Sequence, residues 1–151
     1  MNITSLEADW ARLTLTRFDE EDALRLGLSL IDAAREIKAP VAINIRTPDR
    51  TLFHASLPGA TPLNDRWTRR KSNLAFMFGE PSMLTTLRFR ESGEDFARHG
   101  FDPVEFALSG GSVPVRLAGA GIVAAVTVSG LPEEEDHRMV VKALASLERQ
   151  T

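Results

Sequence analysis

Residues Ser109 to His137, SGGSVPVRLAGAGIVAAVTVSGLPEEEDH, constrain the fold more than any other stretch of this chain. Their core, Ile122 to Val128 (IVAAVTV), places hydrophobic side chains on both alternating faces. A strand covered on both sides of a sheet has that pattern, which predicts a central strand here. The preceding run alternates more cleanly, with Val113, Val115 and Leu117 on one face and Pro114 and Arg116 on the other. Ala118-Gly119 turns it back towards the central strand. Pro114 has no N–H, so its strand begins there or lies at an edge. After Ser129-Gly130 a helix follows, with Pro132 in its first position and Glu133, Glu134, Glu135 and Asp136 against the positive end of its dipole.

The rest of the chain supplies layers for that sheet. Arg12 to Arg17 (RLTLTR) alternates and predicts a short strand. Asp19 caps a helix running to about Lys38, where Pro40 stops it. Its stripe of Ala23, Leu26, Leu30, Ala33, Ala34 and Ile37 is widened by Leu24, Leu28 and Ile31, which predicts burial against the sheet and another subunit. Gly27 marks either a close approach or a surface glycine. Val41 to Arg46 and Thr51 to Ala55 form a hairpin around Thr47-Pro48-Asp49-Arg50. If Arg46 faces Thr51, Ile43 faces His54 and Asn44 faces Phe53, which puts His54 on the more apolar face. Asn64 caps a helix from about Asp65 to Phe78, ended by Gly79, and Ser82 caps another through Arg90. Val104 to Leu108 makes one or two helical turns, and the last helix ends near Leu147. This order of elements predicts an α+β fold: a mainly antiparallel sheet of about five strands with helices packed on it.

A length of 151 residues and a hydrophobic content of 43% suit one domain with a real core. The net charge of −3 gives no whole-protein argument for nucleic acid or an anionic membrane, so any basic site is local. Cysteine is absent, which excludes disulfides, thiolate metal ligands, a cysteine nucleophile and cysteine-ligated haem. The first ten residues contain two acids and no long apolar run, and no membrane span follows, so the expected location is the cytoplasm.

The Gly-Gly, Pro-Val, Gly turn and closing Val-Ser-Gly of the organising stretch resemble the haem-degrading-domain family, which includes HbpS-like, GlcG-like and PduO C-terminal-like domains. LFHASLPGATPLNDRWTRRK (Leu52 to Lys71) and VTVSGLPEEEDH (Val126 to His137) are similar to its uncharacterised bacterial and fungal branch, of UPF0303 type. The resemblance spans nearly the whole chain. It implies a single domain of GlcG/HbpS-like fold, with haem or another tetrapyrrole as the candidate ligand.

The densest polar constellation is Asn64, Arg66, Trp67, Arg69, Arg70 and Lys71. Four cations within six residues repel one another. Either they bind an anion, through guanidinium forks and helix N–H groups, or they pair with acids at an interface or face water. Trp67 reads as core or as a stacking platform. Ser109-Gly110-Gly111 either presents N–H groups to an anion or is a plain turn. The sharper expectation joins the two: loop and basic helix line one pocket for an acidic molecule, and the resemblance makes haem, with its two propionates, a candidate.

Among the histidines, His54 is the best candidate for an iron ligand or general base, the alternative being a hydrogen-bonded structural role. His137, in an acidic helix start, serves as a cation, a loop partner or a ligand contact, and His99 looks exposed. No metal-binding spacing, nucleophile elbow or opposed carboxylate pair accompanies them. The leading expectation is therefore a cytoplasmic small-ligand-binding protein, forming a homo-oligomer, with no nucleic-acid or membrane partner. The alternative is an oligomeric scaffold or partner-binding module without small-molecule chemistry.

Overall fold

The structure, a computed structural model, describes residues 1–150. Its organising strand is β4 (Gly121–Ser129), which pairs antiparallel with β3 (Ser112–Leu117) on one side and β1 (Ala42–Arg46) on the other. β2 (Thr51–Ser56) completes a four-stranded sheet in the order β2-β1-β4-β3. Pro114 accordingly lies in an edge strand, as its missing N–H requires.

Helices cover both faces. The first face carries the main core: Ile43, Ile45, Val113, Val115, Val126 and Val128 meet Leu26, Leu30 and Ala34 of α2 (Glu20–Glu36) and Val140, Leu144 and Leu147 of α5 (Glu133–Gln150). Fully burying each of these larger aliphatic side chains contributes about 1.5–3 kcal/mol. The opposite face is polar, with Asn44, Arg46, Ser112, Thr127 and Ser129 all buried. Against it lie α3 (Pro62–Phe78) and α4 (Ser82–Ser92), and Leu6 of α1 (Ile3–Arg12) packs with Met83 and Leu84 of α4.

Local chemistry sets the helix boundaries. Asp19 and Asp22 cap each other's backbone N–H at 2.9 and 3.1 Å, which starts α2. Gly27 is a close approach: a Cβ there would sit 2.5 Å from the Phe53 ring. Leu24 and Leu28 stay on the outer face, 44% and 50% exposed. α3 begins three residues earlier than the sequence predicts. Thr61 is its N-cap, Pro62 fills the first turn, and Asn64 accepts the Thr61 N–H at 2.9 Å instead of acting as the cap itself. Gly79, at φ 68°, ends it as expected.

Among the described residues the sheet has four strands, where the sequence predicts about five. Arg12 to Arg17 contributes only a parallel bridge, Leu15 to Leu117, because α1 consumes the segment through Arg12 and α2 is capped at Asp19. The hairpin pairs Arg46 with Thr51 as predicted, but an irregularity follows between Ile45 and Arg46. Asn44 therefore faces His54 and Ile43 faces Ala55, one residue off the expected register. His54 moves to the polar, α3-facing side, and Phe53 is released towards Gly27. Of the one or two turns expected at Val104 to Leu108, one forms, on the Asp102 carbonyl, and Arg70 donates to the Pro103 and Phe106 carbonyls there at 2.9 and 3.1 Å. A short 3-10 helix, Phe96–His99, precedes it.

Candidate functional site

The helical repeat puts Asn64, Trp67 and Lys71 on one flank of α3. That flank faces the end of β4 and the start of α5. Lys71 is 2% exposed and donates to the Val128 carbonyl at 3.2 Å and to Asp136 Oδ2 at 3.0 Å. Asp136 is equally enclosed and also accepts the backbone N–H groups of Gly130, at 3.3 Å, and Leu131, at 3.0 Å. Burial pushes the Lys71 ammonium below its usual range and the Asp136 carboxyl above its own, while each charge pulls the other back. An ammonium has three N–H donors, and these bonds use two of Lys71's.

The Gly-Gly loop meets the basic helix at this lysine. At Gly111, φ is 132°, and a Cβ would lie 2.5 Å from the Val128 carbonyl oxygen and 2.8 Å from Lys71 Nζ. A side chain there would displace the ammonium. At Gly110 a Cβ would meet Met83 Sδ, and the Gly110 N–H is already spent on Glu133 Oε1 at 3.1 Å. Gly111 thus packs against the ammonium, and Gly110 against Met83 and the start of α5.

In front of Lys71 lies an open cleft of about 250 Å³. Asn64, Lys71, Ser109, Ser129 and Asp136 supply its polar atoms, and Leu63, Trp67 and Leu131 its apolar wall. Of the residues predicted from sequence, the fold thus brings Asn64, Trp67, Lys71 and Ser109 together, with Gly110 and Gly111 behind them. It separates the other cations. Arg70 stacks 4.7 Å over the Trp67 ring, held by two carbonyls. Arg66 is exposed, and Arg69 points to the other flank of α3.

The histidines are elsewhere. His54 Nδ1 meets Asn44 Nδ2 at 3.0 Å, and its Nε2 meets Asp65 Oδ1 at 2.7 Å. Asp65 also accepts the Ser56 hydroxyl, which, with His54, holds its carboxyl below the usual range. His137 is 3% exposed, its Nδ1 lacks a partner among the described residues, and burial pushes it down to about 4. His99 joins a ring cluster with Phe78, Phe89 and Phe101 while its Nε2 reaches Glu94 at 2.9 Å.

Sequence reasoning missed Ser129, Gly130 and Leu131 as cleft residues and Asp136 as the partner of Lys71. The Val-Ser-Gly run before an acidic helix start was the available signal. It missed Arg46 altogether, because a terminal strand arginine looks like a solvent residue.

Known proteins place these features in a family. A UPF0303 protein of Streptomyces coelicolor is 48% identical over 143 residues, covering 94% of this chain and 90% of its own. One from Burkholderia thailandensis is 40% identical over 147 residues, covering 97% and 89%. The crystal structure of the Ybr137w protein superposes with a TM-score of 0.88 at 30% identity, covering 99% of this chain and 89% of that one. HbpS shares the fold at a TM-score of 0.70 and 21% identity, over 91% of this chain and 94% of its own. The family model described as "Haem degrading protein HbpS-like" matches residues 18–145, and on these likenesses the chain belongs to the HbpS-like haem-degrading family.

Proposed function

We propose that this protein binds a small acidic molecule in the cleft in front of Lys71, and that its work in the cytoplasm is binding. The observation that carries the reading is a buried ammonium with an unspent N–H, set beside two serine hydroxyls and an asparagine amide under an indole wall. A carboxylate satisfies those donors, and Trp67, Leu63 and Leu131 suit a flat apolar body behind it. A PduOC structure with the same fold, at a TM-score of 0.72 and 15% identity, holds heme, which makes a tetrapyrrole the first ligand to try.

The cleft fits only part of that group. Its donors suit a propionate, yet its lining offers no imidazole or thioether to iron, and His54 and His137 lie outside it. At about 250 Å³ it is also smaller than the roughly 300–1,000 Å³ of sites that enclose drug-sized ligands. Haem would be held here by its acidic edge, without a protein ligand to the metal from this cleft. No haem-degrading step follows from these residues.

The test is a haem titration followed by absorbance, repeated with Ser109→Asp, which adds a carboxylate to the cleft, and with His54→Ala. Saturable one-to-one binding, weakened about tenfold or more by Ser109→Asp and unaffected by His54→Ala, supports the reading. Binding that fails to saturate, or that ignores Ser109→Asp, sinks it. A second reading, self-association, is favoured by the exposed Leu24 and Leu28 on α2. Light scattering showing a monomer at working concentrations would refute it.

A further inference from the structure

The other flank of α3 borders a second open cavity, of about 260 Å³, beside a different cation. Arg46 ends β1 and is 4% exposed. Its Nε donates to Ser72 Oγ at 2.8 Å and its Nη2 to Asn73 Oδ1 at 2.5 Å. Nη1 makes longer contacts with the carbonyls of Thr47, at 3.5 Å, and Pro48, at 3.3 Å. The guanidinium lies 4.9 Å from the centre of the Phe76 ring. Every one of these partners is neutral. Among the described residues no carboxylate forms an ion pair with Arg46, and none with Arg69, which lines the same cavity.

Two guanidinium groups therefore share one hollow with no counter-charge. Burial, and then Arg69, push the Arg46 guanidinium down to about 10. A plain structural role, pinning the β1–β2 turn to α3, accounts for the contacts of Arg46 with Pro48, Ser72 and Asn73. It does not account for a second cation turned to the same place, which raises the cost of burying the first. Nor does it use the fifth N–H of Arg46, since four contacts engage a group with five donors. Asn73 is fixed by its own bond to the Glu105 carbonyl at 2.8 Å, so its oxygen stays on Arg46.

We propose that this cavity is an anion site, separate from the Lys71 cleft, for a small carboxylic acid with a single apolar ring. Arg46 supplies the buried charge and Arg69 the exposed one. Phe76, Met77, Phe106 and Pro48 form the walls, so the ligand needs an apolar body, and a strongly hydrated phosphate is disfavoured. The planar guanidinium matches a carboxylate, whose charge replaces the one the fold omits.

Two asparagine side-chain amides report on the two sites independently, Asn73 here and Asn64 in the cleft. Titrating the full chain with benzoate, and separately with benzyl alcohol and inorganic phosphate, while following those amides by NMR, tests the proposal. The expected result is a saturable shift at Asn73 with benzoate, with binding weakened about tenfold or more for benzyl alcohol, for phosphate and in Arg69→Gln. Arg69 is exposed and its charge repels that of Arg46, so Arg69→Gln is expected to keep or raise the wild-type melting temperature. A shift confined to Asn64, no saturable shift at Asn73, equal binding of benzyl alcohol or phosphate, or indifference to Arg69→Gln would each overturn it. None of these outcomes depends on whether haem binds at Lys71.

Discussion

Acidification offers a sharp test of the packing around α5. His137 is 3% exposed, and burial holds its folded pKa at about 4 against an ordinary 6.5. Arg138 lowers it further and Asp9 raises it, both more weakly than burial. Between those values the unfolded chain binds a proton that the folded chain refuses, so stability is present above about pH 6.5 and is lost as pH falls towards 4. At about 1.4 kcal/mol per pH unit of separation, the whole effect is about 3 kcal/mol. Integrating the same two pKa values from about pH 7.5 to pH 5 gives a loss of about 2 kcal/mol. The assay is urea unfolding at both pH values for the wild type and His137→Leu. The leucine has no proton to refuse, so its stability should fall less on acidification, by about 2 kcal/mol. His54 with Asp65 and His99 with Glu94 are present in both proteins and cancel in the difference. Parallel pH profiles for the two proteins would refute the reasoning.

Asp136→Asn leaves Lys71 buried without a counter-ion, and a cost of about 3–5 kcal/mol is expected in urea unfolding at neutral pH. Gly27→Leu improves intrinsic helix propensity yet drives a side chain into the Phe53 ring, so a net destabilisation of about 1–3 kcal/mol is expected, and a rise in stability would contradict the close approach. Asp19→Ala removes one half of the α2 capping box and should lower stability by about 1 kcal/mol in the same assay. In hydrogen exchange, amides of α3 should exchange before those of β4, because α3 rests on a polar sheet face while β4 is paired on both sides.

Elements whose signals are local were legible in the sequence. The apolar run of β4, the edge position of Pro114, the Asp19 cap and the Gly79 stop each depend on neighbours within a few residues. The His54 register was not legible, because the irregularity beside Ile45 shifts every pairing after Arg46 by one and nothing in the composition announces it. α1 went unread although Asn2 and Ser5 form its capping box, since its hydrophobic stripe is thin. The basic cluster was visible as charge, but its division among four destinations, with Arg66 left to solvent, is a property of helix geometry. Lys71 turns inward, Arg70 finds free carbonyls, and Arg69 is carried round to Arg46.

The two members of the buried ion pair are not equivalent, and the difference bears on function. Asp136 accepts from Lys71, Gly130 and Leu131, so its oxygens already hold together the loop that starts α5. An apolar replacement there would orphan two backbone donors as well as the lysine, and the acid is accounted for by structure alone. Lys71 spends one N–H on that acid and one on a β4 carbonyl, which leaves a third uncommitted in a residue that lines the cleft. Buried ion pairs seldom stabilise a fold more than well-packed apolar residues of similar volume would. Stability alone thus gives little reason for a lysine at 2% exposure beside a Gly111 that no side chain can replace without meeting its ammonium, and the ligand role proposed above supplies one.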